Sequence, residues 1–240
     1  MIDFHTHIIP NVDDGSSSVE ETFALIKEAK EAGFTGIIST SHYIEGYYES
    51  NVAERELWLN ALIQNLPKVN FNGKLYLGNE IYFTSNIIEL LEQQKVTTIN
   101  NTNYTLFELP LNSKPLNLID VIYTMQQYKL IPVLAHPERY SFVQSNPEII
   151  DELIDIGVLM QQNYGSIIGQ YGKKAQIIAK KMLEKNYITF FGSDVHKPNT
   201  IYKKMPEIIQ ELQNIIGREK FMQISTINPE LALKNKKIEY

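Results

Sequence analysis

The sequence predicts an α/β fold, a (β/α) barrel of seven units, with an open doubly wound sheet as the alternative. Short apolar, strand-like runs alternate with amphipathic, helix-like stretches along the 240 residues, the pattern of parallel strands joined by helical crossovers. Seven such units suit one barrel, and barrels of roughly 200–250 residues commonly form a single domain, here 1–240. No G-x-G-x-x-G follows the first strand, which weakens a dinucleotide-binding sheet.

The strand candidates are 2–5, 36–42, 74–80, 104–110, 131–137, 157–163 and 187–194. The helix between the first two, 19–32, carries its own start and stop signals. Ser18 with Glu21 three residues on is a capping box, and Gly33 suits the position after a helix end. Phe23, Ile26, Ala29 and Ala32 recur at helical spacing. The remaining helices are expected at 51–65, 84–93, 117–128, 147–156, 171–185 and 202–215. The tail after Gly217 carries no site motif and is expected to be a closing helix with a frayed end.

Composition narrows the chemistry. With no cysteine, thiolate catalysis, disulfides and iron–sulfur clusters are excluded, and any metal must be held by nitrogen and oxygen. A net charge of −6 disfavours indiscriminate binding to nucleic acid. Nothing resembles a secretory leader or a membrane span, so a cytoplasmic location is expected.

The polar residues are placed unusually. Six of the seven apolar runs end in a potential ligand: His5 and His7, then His42, Glu80, Glu108, His136, and finally Asp194 with His196. All five histidines lie at these ends. In a parallel barrel those ends share one face, where active sites are built. His5 and His7, two apart on a strand, aim at one point; Asp194 and His196 repeat the spacing, and Asp3 falls on the side of His5 and His7 by the same parity. Any one of these histidines alone would read as a hydrogen-bonded structural residue. Asp13 and Asp14 before Gly15 could form only a turn. The joint placement argues for metal instead. Imidazole with carboxylate suits Mn, Fe, Co or Zn better than Mg or Ca. With Asp14 the candidates number nine, enough for two or three ions.

These motifs, H-x-H, D-D-G, T-S-H, G-x-E, E-L-P, H-P-E-R and S-D-x-H, in this order, resemble the PHP superfamily, named for polymerase and histidinol phosphatase domains. Within it, MIDFHTHIIPNVDDGS and AHPERY are similar to the metal-dependent bacterial protein-tyrosine phosphatases of capsule and exopolysaccharide loci, from Met1 to about Met205. The resemblance implies a distorted (β/α)7 barrel with three ions, often manganese. It implies one ion on His5, His7, Glu80 and Asp194, a second sharing Glu80 and adding Glu108 and His136, and a third on Asp14, His42 and His196. Arg139 would bind phosphate. The family often has a further arginine after S-D-x-H; here the loop reads KPNTIYKKM, leaving Lys197 as a candidate without the bidentate fork of arginine.

The expected reaction is phosphomonoester hydrolysis by hydroxide that the ions generate, with no protein nucleophile. The phenolate of tyrosine, of pKa about 10, leaves more readily than a serine alkoxide. The implied substrate is the tyrosine-rich tail of a membrane-associated bacterial tyrosine kinase. A small-molecule phosphatase, such as one for histidinol phosphate, and a non-catalytic metal-binding regulatory domain are the alternatives. A homo-oligomer is compatible with the sequence. Tyr43, Tyr47 and Tyr48 read as an aromatic surface loop rather than a substrate rim. An extension at the N-terminus is expected to disturb the site.

Overall fold

The computed structural model describes residues 1–238. Among the described residues, nine strands and nine α-helices follow one another. They are β1 (Ile2–Thr6), α1 (Val19–Glu31), β2 (Gly36–Ser39), β3 (His42–Tyr43), α2 (Val52–Asn65), β4 (Lys74–Leu77), β5 (Glu80–Tyr82) and α3 (Ile87–Glu92). Then come β6 (Tyr104–Glu108), α4 (Leu118–Gln127), β7 (Ile131–Ala135), α5 (Ser141–Ser145), α6 (Glu148–Asp155), β8 (Leu159–Asn163), α7 (Lys173–Glu184), β9 (Ile188–Gly192), α8 (Met205–Met222) and α9 (Asn228–Leu233).

All strand pairs are parallel, in the orders β1-β2-β4 and β3-β5-β6-β7-β8-β9. The two sheets are one wall broken twice. β2 runs into β3 across Thr40–Ser41, and β4 into β5 across Gly78–Asn79. Gly78 N–H donates to Ser39 O at 2.8 Å and Glu80 N–H to Thr40 O at 2.9 Å across the break. On the other side Asp194 N–H donates to His5 O at 2.8 Å and His7 N–H to Val195 O at 3.0 Å, with Thr6 bridging Val195 in parallel. Seven barrel strands result, so the distorted (β/α)7 barrel is the observed fold.

Two apolar layers hold it. Phe4, Ile38, Leu106, Val133 and Phe190 fill the inside of the barrel, where the rings of Phe4 and Phe190 stack at 3.9 Å. Leu25, Ile26, Ile37, Leu134, Met160, Ile178 and Phe191 pack the outer face of the strands against the helices. Burying each such side chain contributes about 1.5–3 kcal/mol over leaving it exposed. Helix α7 shows the logic: Ala175, Ile178, Ala179, Met182 and Leu183 form its buried stripe. Ser18 caps α1 by accepting from Glu21 N–H, while the Glu21 carboxylate takes Ser17 N–H rather than that of Ser18. Gly33 ends that segment at φ +91°.

The tail departs from expectation. Through Ile238 it is packed, not frayed. Ala232 and Ile238 join the interior cluster, Tyr104 Oη donates to Lys236 O at 2.7 Å, and Asn228 Nδ2 to Thr189 O at 2.9 Å. It closes the barrel end opposite the histidines. The Met1 amine also lies at that opposite end, donating to Gly33 O at 3.4 Å. An N-terminal extension therefore leaves the molecule away from the strand C-termini, contrary to the sequence-based expectation.

Candidate metal centre

The interior stripe of each strand is apolar low in the barrel and changes character at the top. On β6 it reads Tyr104, Leu106, Glu108, and on β8 Leu159, Gln161, Asn163. On β1 the alternation is interrupted. The pairing with β2 shifts between Asp3 and Thr6, a bulge that lets consecutive residues face inward. Phe4 stays in the interior and His5 joins it, beside Gln161. Asp3 is left on the outer face, where its carboxylate accepts from Ser193 N–H at 2.8 Å and Tyr202 Oη at 2.9 Å. It does not share the side of His5, as strict parity had predicted. Burial pushes its carboxyl up to about 6.

Glu80 is the hub. Its Oε2 lies 3.0 Å from His5 Nε2, 3.4 Å from His7 Nε2 and 3.0 Å from His42 Nδ1, and its Oε1 lies 2.8 Å from His136 Nε2. Four of the five histidines thus meet one buried carboxylate. His5 Nε2 and His7 Nε2 are 3.1 Å apart, and stand 3.7 and 3.5 Å from Asp194 Oδ1. His42 Nδ1 is 3.1 Å from Glu108 Oε1, and His136 Nε2 3.8 Å from Glu108 Oε2. Asp14, half-exposed, meets His196 at 3.3 Å and His42 at 3.7 Å. All nine predicted ligands are brought together. Three groups of donor atoms converge among the described residues: His5, His7, Glu80 and Asp194; His42, Glu80 and Glu108; and His7, Asp14, His42 and His196. The geometry adds His7 to the third expected set; in the second it puts His42 in the place expected for His136, which meets Glu80 through the other carboxylate oxygen, Oε1.

Does this cluster suit cations? Four donors about 2.1 Å from one ion stand about 3.4 Å apart at the corners of a tetrahedron. The five distances measured among His5, His7, Glu80 and Asp194 run from 3.0 to 3.7 Å. The buried Glu80 Oε2 and His42 Nδ1 make no hydrogen bond, although they face each other at 3.0 Å. Such unpaired buried groups are costly, and a shared cation would satisfy them. The donor set fits divalent metal.

Electrostatics agree. Burial opposes ionisation of Glu80 and Asp194, yet His5 and the other cations beside them hold both carboxyls well below the usual range. Burial likewise opposes charging His42, and Glu80 outweighs it, pushing the imidazole up to about 9. Without an ion, the carboxylates favour protons on His5, His7 and His42.

Supporting residues complete the site. Asp13, not Asp14 alone, gives the D-D-G turn its purpose. Its Oδ2 accepts from His7 Nδ1–H at 2.8 Å and His42 N–H at 2.9 Å, and its Oδ1 from Gly15 N–H at 2.9 Å. A Cβ on Gly15 would fall 2.3 Å from His7 O, so only glycine lets the loop close on the histidine. Tyr140 pins the H-P-E-R-Y turn, donating to Ala135 O at 2.8 Å and accepting from Leu109 N–H at 3.0 Å. His136 and Asp194 hold left-handed backbone, φ +35° and +54°, a strain of about 1–3 kcal/mol each that the packed surroundings sustain.

A cavity of about 390 Å³ opens above the cluster, with Asp14, His42, Glu108, His136, Asp194 and His196 in its floor and Ile44, Tyr48, Leu111, Arg139, Tyr171 and Lys197 around them. Arg139 Nη1 donates to Asp194 Oδ2 at 2.7 Å, and its guanidinium lies 4.5 Å from the centre of the Tyr171 ring. Lys197 reaches the pocket but is tethered to Gly15 O at 2.8 Å and Glu21 at 3.3 Å. The three tyrosines divide: Tyr43 is buried, Tyr47 is exposed, and Tyr48 stacks on His42 at 6.2 Å and lines the cavity, unlike the surface loop the sequence suggested. Asp13, Gln161, Asn163 and Tyr171 were missed by sequence reasoning. The alternate amides in QQN were the one available signal.

A (β/α)7 barrel carrying this cluster at its C-terminal mouth defines a metal-dependent hydrolase of the PHP type. Histidinol phosphate phosphatase of Lactococcus lactis shares the fold at a TM-score of 0.59 over 89% of this chain and 93% of that one, with 13% identity. The particular family follows from sequence: the chain belongs to the CpsB/CapC family of capsular polysaccharide synthesis, which matches residues 1–234. It is 34% identical over 196 residues to the putative tyrosine-protein phosphatase CapC of Staphylococcus aureus, covering 82% of this chain and 77% of that one. It is 30% identical over 238 residues to the tyrosine-protein phosphatase YwqE of Bacillus subtilis, covering 99% and 93%. A crystal structure from work on YwqE and on CpsB of Streptococcus pneumoniae, described as unique metal-dependent tyrosine phosphatases, superposes at a TM-score of 0.91 with 30% identity, covering 100% of this chain and 96% of that one. Among the described residues no helix is long and apolar enough to cross a membrane.

Proposed function

We propose that this chain is a metal-dependent protein-tyrosine phosphatase acting in capsule or exopolysaccharide synthesis. The observation that carries the reading is Glu80, in contact with four imidazoles beneath an open cavity that Arg139 borders. His5, His7, Glu80 and Asp194 would hold one ion. Glu80, Glu108 and His136, with His42 adjacent, would hold a second, and Asp14, His42 and His196 a third. Two or three ions, manganese first and iron, cobalt or zinc as alternatives, match the donor chemistry. When bound, they supply a water acidic enough to attack at neutral pH and positive charge against the phosphoryl oxygens.

The protein's own groups do the rest. Arg139 carries a planar fork of donors matched to phosphate, and Tyr171 against its face keeps it at the cavity edge. Lys197 is placed for a second, weaker contact. Tyr48 and Leu111 offer apolar surface to the phenyl ring of a substrate. A phenolate leaves more readily than a serine alkoxide.

The chain acts as one domain, 1–240, in the cytoplasm. Its protein substrate is the phosphorylated tyrosine-rich tail of a membrane-associated bacterial tyrosine kinase. The test is steady-state kinetics on a phosphotyrosine peptide and on histidinol phosphate, before and after chelation. The peptide is expected to be the better substrate, activity to vanish with chelator, and Mn to restore it. Efficient turnover of histidinol phosphate alone would overturn the tyrosine reading, and a metal-loaded protein inert towards every aryl phosphate would leave a binding domain.

A further inference from the structure

We propose that Gln161 and Asn163 on β8 are positioning residues that fix the tautomer of His5, keeping its proton on Nδ1 and its Nε2 lone pair turned to the cluster. The proposal rests on the reading of His5 as an ion ligand. Both amides are fully buried, and alternation along the strand sets them side by side on the inner face.

The direction of the hydrogen bonds is determined from one end. Asp194, paired with Arg139 at 2.7 Å, is an ionised carboxylate and can only accept. Asn163 therefore turns its Nδ2 to Asp194 Oδ2, at 2.7 Å. Its Oδ1 is left as an acceptor, and Gln161 Nε2 donates to it at 2.9 Å. That rotation points Gln161 Oε1 at His5 Nδ1, 2.8 Å away. An amide oxygen cannot donate, so the imidazole must. A neutral His5 then presents a bare Nε2 to Glu80 and His7.

The surroundings are shaped for this relay. On β9, a Cβ at Gly192 would lie 2.8 Å from Gln161 Nε2 and 2.4 Å from His5 Cβ, so the glycine clears the space that the amide and the imidazole share. Asp194 stands at both ends of the chain of bonds, its Oδ2 starting the relay and its Oδ1 3.7 Å from His5 Nε2. Two neutral amides thus set the direction of an imidazole without adding charge to a crowded carboxylate cluster.

The test compares wild type with Gln161→Met, Gln161→Glu and Asn163→Leu. Zinc and manganese affinities are measured by competition with a chromophoric chelator. Exchange of the His5 Nδ1–H is followed by NMR of the histidine-labelled, zinc-loaded protein, and thermal melts verify folding. Gln161→Met keeps the side-chain length but removes the acceptor; affinity should fall about 10–100-fold and the Nδ1–H should lose its protection from exchange. Gln161→Glu restores the acceptor facing His5 but sets its second oxygen against Asn163 Oδ1, so it should recover part of the affinity and of the Nδ1–H protection. Asn163→Leu removes only the directing end and should give an intermediate loss. Gln161→Met binding within about threefold of wild type, well short of the usual loss, would sink the relay alone, as would Gln161→Glu binding as poorly as Gln161→Met. A wild-type protein that binds neither ion would instead remove the reading of His5 as a ligand, and the relay with it.

Discussion

Replacing Asp13 by asparagine is the sharpest probe of how the site is held. The carboxylate accepts three N–H groups, from His7, His42 and Gly15, and asparagine has one oxygen to offer them. Whichever way the amide turns, at least one N–H then faces an NH₂ group. Burial opposes ionisation of Asp13, but His7 outweighs it and holds the carboxyl at about 2, against an ordinary 3.8. That difference corresponds to roughly 2.5 kcal/mol. Hydrogen bonds to a charged group are independently worth about 1.5–3 kcal/mol, so the two routes agree. Because the folded value lies below the unfolded one, the stabilisation is present above pH 3.8 and is lost as pH falls through about 2. Urea unfolding of the metal-free protein at pH 7 should therefore show Asp13→Asn less stable by about 2 kcal/mol, with the gap narrowing in acid. Ion affinity should drop about 10–100-fold, since His7 loses the partner that orients it. Unchanged urea midpoint and unchanged ion affinity together would refute the role given to Asp13.

Three further outcomes are expected. Arg139→Ala should lower kcat/KM for an aryl phosphate by about 10²-fold or more while ion content by elemental analysis stays at the wild-type level; full activity in that variant would exclude a phosphate clamp. Zinc affinity should rise between pH 6.5 and about 9, because an ion must displace the proton that Glu80 retains on His42; in the metal-free protein the same raised value favours folding below 6.5 and fades as pH passes about 9, and a flat affinity across this window would contradict the assignment. Gly15→Ala should cost about 1–3 kcal/mol and weaken ion binding, since its Cβ would sit 2.5 Å from His7 Cβ; calorimetry showing an unshifted melting temperature would count against that contact.

The rhythm of the fold and all nine clustered side chains were legible in the sequence, because apolar runs and polar strand ends are local patterns. What escaped was non-local or arose from broken regularity. Residues 36–42 and 74–80 read as continuous strands, yet each divides in two, β2 from β3 and β4 from β5, so that His42 and Glu80 start new pairings. The bulge in β1 reverses the side of Asp3 relative to His5, which alternation cannot foresee. Asp13 looked like turn chemistry until His7 Nδ1 was found beside it. Gln161 and Asn163 carry no charge and mark no known ligand pattern; only the pairing of β9 beside β8, with β1 closing the wall on the far side of β9, gives them partners. The tail after Gly217 lacked any motif because its task is packing beneath the barrel.

The seam between β1 and β9 has a consequence for the order of events as the chain is made. The bonds that complete the circle join His5 and His7 to Asp194 and Val195, about four-fifths of the chain apart. The first histidines to be synthesised therefore wait, exposed, for the last acidic residue of their group. Contacts this distant in sequence form late and slowly. A chain that ends before β9 lacks both the strand that closes the wall and the Asp194 carboxylate of the cluster. Loss of β9 would not trim the protein but open it at the one place where the wall and the chemistry coincide.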